Sequence, residues 1–263
     1  MKAAFLTSPN RLELRETAPP EPGEGEVLIK PLQAGICGSD VSFYLGHRTG
    51  AYPMVLGHEV AGRIAALGKN VSKFKAGERV VVEPNYPCGE CSFCRQGRGC
   101  ICPNKRSMGI DTPGCFAEYV VAPADFVWPL ADSISEADAA TIEPLAVSLH
   151  ALEIAGLHEQ DAIAVVGCGA IGLLLVQAAV SRRIRVLAHD IYEEKLEKAA
   201  RLGAETSPDA DPAQLWRAAR VAAIFECAGT PQAVARALDA APRGSKVILL
   251  GLSSAPASFS PLR

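Results

Sequence analysis

The sequence predicts an α/β chain of two domains: a β-rich part over residues 1–145 and a doubly wound parallel sheet over residues 146–263. Three observations carry this. The first half is filled with short apolar runs bounded by Gly and Pro: GEVLIKPLQAG, GRIAALG, GERVVVEPN and FAEYVVAP. Val-rich runs of that length, punctuated by turn residues, read as strands. Beyond Ser135 the pattern changes to strand–helix alternation, which favours a parallel sheet covered by helices on both faces. A glycine-rich turn, GCGAIG, follows the first strand of that alternation.

In order, SEADAATIEPLAVSLHALEIAG has the spacing of one helix, with Ser133 or Ser135 as its N-cap. AIAVVG is then a strand and AIGLLLVQAAVSRR a helix; IRVLAHD a strand and EEKLEKAARLG a helix. AAIFECAG is a strand, PQAVARALDAA a helix and KVILLGL the last strand.

Composition narrows the function. Hydrophobic residues make up 49% of 263, enough for two modest cores, and the net charge is −3 with both signs interspersed. That balance gives no electrostatic basis for binding nucleic acid or an anionic membrane. Apolar stretches are broken by Gly or charge before they reach membrane-spanning length. The start, MKAAFLTSPN, lacks the apolar core of a secretory signal, so the nine cysteines read as metal ligands and buried thiols in a reducing cytoplasm.

Four of them, Cys88, Cys91, Cys94 and Cys102, lie in CGECSFCRQGRGCIC. Two CxxC steps sharing the middle cysteine place thiolates on successive tight turns, where they can face one tetrahedral ion. Zinc is the usual occupant of such a closed all-sulfur site. Cys100 stands at the wrong offset and is read as a spectator.

Gly167, Gly169 and Gly172 form GxGxxG between a strand and a helix, and a second strand ends at Asp190. This is the context a dinucleotide fingerprint requires. Gly167 allows the tight turn, Gly169 lets backbone approach a pyrophosphate, and Gly172 lets helix and strand pack closely; Ile171 belongs to the same turn. The Asp190 carboxylate can accept from both ribose hydroxyls and repels a 2′-phosphate, which favours NAD; the alternative is an Asp that caps the next helix. Lys195 reaches either the ribose or its neighbours Glu194 and Glu197. Arg182, Arg183 and Arg185 read as a solvated helix end, and Cys168 as a small apolar filler.

Three more segments carry potential ligands: GICGSD with Cys37, GHEVAG with His58 and Glu59, and EPLAV with Glu143. Each is a Gly- or Pro-marked turn, and spacing alone does not bring them together. In combination and order, GICGSD, GHEVAG, the four-cysteine lobe and GCGAIG resemble the zinc-containing medium-chain dehydrogenases over essentially the whole chain. The resemblance implies a GroES-like catalytic domain joined to a Rossmann domain, with the active site in the cleft between them. It also implies catalytic zinc on Cys37 and His58, Glu59 as ligand or near neighbour, and Glu143 at the third or exchanging position.

Glu143 followed by Pro-Leu-Ala is similar to the sorbitol and other polyol dehydrogenases, with related runs in threonine dehydrogenases; FECAG at 225–229 points the same way. What the resemblance implies is hydride transfer between NAD and a polyol or other secondary alcohol, the zinc lowering the pKa of the substrate hydroxyl. Ser39 stands where the family relays the proton, or is a turn Ser satisfying local backbone; Asp40 holds the turn. Ser42 and Phe43 replace a common His and a substrate-touching Tyr, and His47 reads as a surface loop residue. The chain stops at Ser260-Pro-Leu-Arg263, where relatives continue into a sixth strand that carries their homo-oligomer contact. The expected sheet therefore lacks its last strand, and two alternatives stand beside the polyol enzyme: a threonine-type amino-alcohol dehydrogenase, and an inactive zinc- and nucleotide-binding remnant.

Overall fold

The computed structural model describes residues 1–207, 211–253 and 255–259, so Ser260–Arg263 lie outside the described residues. The chain divides into two compact units, Met1–Glu143 and Pro144–Arg263.

The first unit is built on strands. An edge sheet is formed by β1 (Lys2–Ser8), β2 (Arg11–Glu16) and β4 (Met54–Val55), in the order β2-β1-β4. The main sheet joins β3 (Glu26–Gly35), β5 (Glu59–Leu67), β6 (Arg79–Val82), β9 (Val120–Pro123) and β10 (Val127–Pro129), in the order β10-β6-β5-β3-β9. β7 (Asn85–Tyr86) pairs with β8 (Arg106–Ser107) beside the cysteine lobe. The apolar runs read as strands contain β3, β6 and β9 and, in GRIAALG, the later part of β5, and alternate residues of β3 (Val27, Ile29) enter one core with Val60, Ile64, Val80 and Val120. The pair β1–β2 has no clear signal in the sequence. Its register is antiparallel and β2 leaves Leu12 and Leu14 exposed, so the segment lacks a clean apolar alternation.

Two short helices carry cysteines at their N-caps. Cys37 is the N-cap of α1 (Gly38–Tyr44), so GICGSD is a turn that opens a helix. α2 (Ser92–Arg95) is one turn inside the cysteine lobe, capped by Cys91. The single helix expected after Ser135 is two: α3 (Glu136–Ala139), capped by Ser135, and α4 (Ile142–Ala155). Pro144 supplies the reason. Its ring would meet the carbonyl four residues back in a continuous helix, and it has no N–H to donate. The chain breaks at Ala140–Thr141 and restarts, leaving Pro144 in a first turn and Glu143 on that turn, not on a loop.

The second unit is a five-stranded parallel sheet of order β13-β12-β11-β14-β15, comprising β11 (Ala162–Val166), β12 (Arg185–His189), β13 (Glu205–Thr206), β14 (Ala223–Glu226) and β15 (Lys246–Leu249). Helices α5 (Ala170–Ser181), α6 (Glu193–Arg201), α7 (Pro212–Ala218) and α8 (Pro231–Ala240) connect them. Every residue of β11 is buried. Ile163 and Val165 enter one core with Leu175 and Val176 of α5, while Ala162, Ala164 and Val166 enter another with Trp216 and Ala237. A strand whose two faces feed two separate cores is the signature of a sheet with helices on both sides. β13 and α7 are additions to the elements the sequence predicts. Among the described residues no helix is long and apolar enough to cross a membrane.

Candidate active site and cofactor cavity

In the first unit, Cys37, His58 and Glu59 each offer a ligand atom within 4.8 Å of the others. Backbone architecture assembles them. Cys37 ends the turn before α1, His58 precedes β5, and Glu59 is the first residue of β5, paired in register with Gly35 of β3. A Cβ on Gly35 would overlap Glu59 Oε2, so only glycine lets this carboxylate lie across β3. Asp40 is buried and ties the pieces together: Oδ2 accepts the Cys37 N–H at 2.9 Å, Oδ1 accepts the Gly57 N–H at 3.2 Å and lies 3.7 Å from His58 Nδ1.

The electrostatics suit a cation. Burial alone would lower the His58 pKa, but the carboxylate of Asp40 and the thiol of Cys37 beside it outweigh that and hold the imidazole up at about 10. Burial raises the Glu59 carboxyl, opposed by the charge of His58. His58 Nδ1 is buried without a hydrogen-bond partner. A thiol, an imidazole and a carboxylate with an orphaned buried nitrogen form the donor set a catalytic zinc uses. Glu143 lies outside the 4.8 Å cluster, yet the charges of His58 and Glu59 act on it, and burial raises its carboxyl. Ser39 is half-buried in the first turn of α1. His47 is exposed in the following loop. Phe43 is buried with Leu6, Met54 and Leu56, so it faces the core.

The lobe is a second, closed cluster. Neighbouring Sγ atoms of Cys88, Cys91, Cys94 and Cys102 are separated by 3.4–4.0 Å. A tetrahedron with Zn–S of about 2.3 Å has an edge near 3.8 Å, so four thiolates here fit one zinc. Backbone N–H groups of Glu90 and Cys91 bring the Cys88 thiol down to about 6. Cys100 is exposed and outside the cluster.

In the second unit the glycine turn lies at the carboxyl ends of the strands. Gly167 has φ +94°, and a Cβ there would stand 2.7 Å from the Ala228 N atom. Gly172 passes so close to the Gly167 carbonyl that a Cβ would overlap it, whereas a Cβ on Gly169 would meet nothing within 4 Å. The open side of Gly169, at the uncapped N-terminus of α5, is the space a pyrophosphate requires. A cavity of about 540 Å³ runs from this turn past Asp190, Lys195, Cys227 and Thr230. Asp190 Oδ2 accepts the Cys168 N–H at 2.7 Å and Oδ1 the Tyr192 N–H at 3.0 Å, with Lys195 Nζ at 3.9 Å. Cys168 itself is buried, Ile171 contributes its carbonyl to Ser148 Oγ at 3.2 Å, and Arg185 pairs with Glu205.

Comparison with known proteins agrees with this layout. Residues 23–132 match the alcohol dehydrogenase GroES-like domain and residues 170–263 the zinc-binding dehydrogenase domain. The chain is 36% identical to the sorbitol dehydrogenase of Bacillus subtilis over 269 residues, covering 97% of this chain and 76% of that protein. The chain belongs to the zinc-containing alcohol dehydrogenase family. This dehydrogenase is also 36% identical to the L-threonine 3-dehydrogenase of B. subtilis, over 94% of its own length and 74% of the relative's. The crystal structure of galactitol-1-phosphate dehydrogenase from Escherichia coli superposes with a TM-score of 0.94 at 32% identity, covering all of this chain and 78% of that one. The dehydrogenase is thus an oxidoreductase of the zinc- and NAD(P)-dependent alcohol and polyol class.

Two features of the dehydrogenase escaped the sequence. Gly35 gave no signal, because its importance comes from a register partner 24 positions away. Glu226 gave one: an ionisable residue inside the apolar run AAIFECAG of a central strand. It is fully buried, Oε1 accepts the N–H groups of Ala228 and Gly229 at 2.8 Å, and Oε2 has no partner.

Proposed function

We propose that the chain oxidises a secondary hydroxyl of a polyol to a ketone with NAD, using Cys37, His58, Glu59 and Glu143 around a catalytic zinc. On this reading Met1–Glu143 is the catalytic domain and Pro144–Arg263 the cofactor domain. The observation that carries it is the Cys37–His58–Glu59 cluster, braced by Asp40. Zinc held there supplies Lewis-acid polarisation, which lowers the pKa of a substrate hydroxyl. The protein's own groups do the rest. Asp40 fixes the orientation of His58, and Ser39 receives the hydroxyl proton and passes it outward. The carboxylates of Glu59 and Glu143 would offset the charge of a cation held there. Asp190 accepts from the ribose hydroxyls, Lys195 assists it, and the turn Gly167–Ile171–Gly172 seats the pyrophosphate through its N–H groups. Cys88, Cys91, Cys94 and Cys102 of the lobe would hold a structural zinc.

Polyols are placed ahead of threonine because Glu143 leads into Pro-Leu-Ala, though equal identity to both B. subtilis relatives keeps the amino-alcohol reading alive. Mixing the protein with NAD and a panel of polyols, threonine and simple alcohols, while following reduced nicotinamide by absorbance, tests this. Turnover with polyols supports the proposal. Turnover with threonine alone replaces it, and no turnover despite bound NAD and zinc assigns the chain to a remnant.

A further inference from the structure

We propose that the second unit carries a binding site for a phosphorylated, hydroxyl-bearing metabolite of the sugar- or polyol-phosphate class, formed by Arg217, Arg220 and Arg243 around Asp239. These residues line a cavity of about 800 Å³ whose lining also includes the apolar Val221 and Pro242. It lies where the chain enters β14 and β15, at the opposite end of the sheet from the glycine turn, and shares no lining residue with the cofactor cavity. Neither the zinc reading nor the dinucleotide reading makes any use of it.

The chain as a whole has a net charge of −3, yet three guanidinium groups converge here with one carboxylate. None of the three arginines makes an ion pair among the described residues. The dipole of α7 accounts for one of them, since Arg217 stands in its last turn beside the free carbonyls. Arg220 follows the C-cap of that helix with φ +52°, a left-handed conformation that glycine adopts without cost and arginine does not. Arg243 comes from a separate turn, in which the Ser245 N–H donates to the Pro242 carbonyl at 3.1 Å and Gly244 has φ +84°. An arginine kept where the backbone favours glycine is explained by a use for its guanidinium.

Guanidinium forks match phosphate oxygens two at a time, and three of them suit a phosphate monoester. A bare phosphate does not explain Asp239. Its carboxylate repels an anion, and its Oδ1 is buried without a hydrogen-bond partner. A carboxylate in that place accepts from hydroxyl groups. A ligand that carries both a phosphate and hydroxyls satisfies the arginines and the aspartate together, and the cavity has the size of a small-molecule site.

Calorimetric titration of the full chain with sorbitol 6-phosphate tests the site, with inorganic phosphate as the reference probe and NAD left out so that no hydride moves. The parent should bind sorbitol 6-phosphate at least about tenfold more tightly than inorganic phosphate, the contribution of hydroxyls donating to a carboxylate. Arg220→Gly and Arg243→Gln should each weaken sorbitol 6-phosphate about 3- to 10-fold, with NAD affinity unchanged. Arg220→Gly places glycine where the backbone suits it, so its melting temperature should not fall below the parent's. Asp239→Ala should strengthen inorganic phosphate and erase the preference for sorbitol 6-phosphate over it. A parent that does not bind sorbitol 6-phosphate, or that binds the two phosphates equally, would overturn the proposal. So would full affinity in both arginine variants, which would put the ligand at another site.

Discussion

Asp190 Oδ2 accepts a hydrogen bond from the Cys168 N–H at 2.7 Å, which fastens the glycine turn to the tip of β12. The carboxylate proposed to choose the cofactor is therefore also a strut of the phosphate-binding loop. It is no helix cap in the usual sense, since α6 takes Tyr192 as N-cap without a side-chain bond.

Replacing Asp190 by glycine should have two effects. The ratio of kcat/KM for NADP to that for NAD should rise at least about tenfold, a difference of about 1.4 kcal/mol. NAD itself should bind more weakly, because the turn loses its tether. Steady-state kinetics with both cofactors checks this, and an unaltered ratio would mean that Asp190 only braces the loop.

Gly35→Ala should be more damaging than an alanine at a strand end normally is. The new Cβ would occupy the place of Glu59 Oε2, so the carboxylate must swing away from Cys37 and His58. The expected outcome is a large drop in kcat and loss of the catalytic metal, with the metal of the lobe retained. Full activity in this variant would show that Glu59 has no part in the site.

Cys91→Ser should act on stability first. Cys91 supplies one of four converging sulfurs and also caps α2 by accepting the Cys94 N–H. A closed zinc site contributes folding free energy outright, so the melting temperature should fall by about 5–10 °C or more. A thermal unfolding curve identical to the parent's would exclude a metal from the lobe.

Glu226 gives a pH prediction. Burial raises its carboxyl, with the N–H groups of Gly229 and Ala228 opposing. The folded chain therefore holds this proton more tightly than the unfolded chain. The stabilisation is fully present below the unfolded carboxyl value and is lost as pH rises through the folded value. Glu226→Gln keeps an acceptor for both N–H groups and has nothing to ionise. Urea midpoints between pH 5 and pH 8 should fall for the parent and stay flatter for the variant, leaving the variant ahead by about 1 kcal/mol at the upper end. Parallel curves would refute a raised Glu226.

What the sequence disclosed depends on the range of the interactions involved. The lobe was readable because Cys88, Cys91, Cys94 and Cys102 meet through local turns, and the phosphate turn because Gly167, Gly169 and Gly172 act within one loop. Strands such as β11 announced themselves as short apolar runs between glycines. By contrast, Cys37, His58 and Glu59 converge only through β3–β5 pairing, and spacing said nothing of it; family resemblance supplied the set. The break between α3 and α4 was visible in Pro144 but overridden by the apolar periodicity around it. Arg243 joins Arg217 and Arg220 around one cavity from a different turn, beyond the reach of any local pattern.

Zinc analysis of the purified chain beside its His58→Ala variant tests the central claim most directly. Two metal clusters predict two zinc ions per parent chain and one in the variant, with the lobe still filled. A parent carrying a single zinc, or a variant that keeps two, would contradict the assignment of Cys37, His58 and Glu59 as a metal centre.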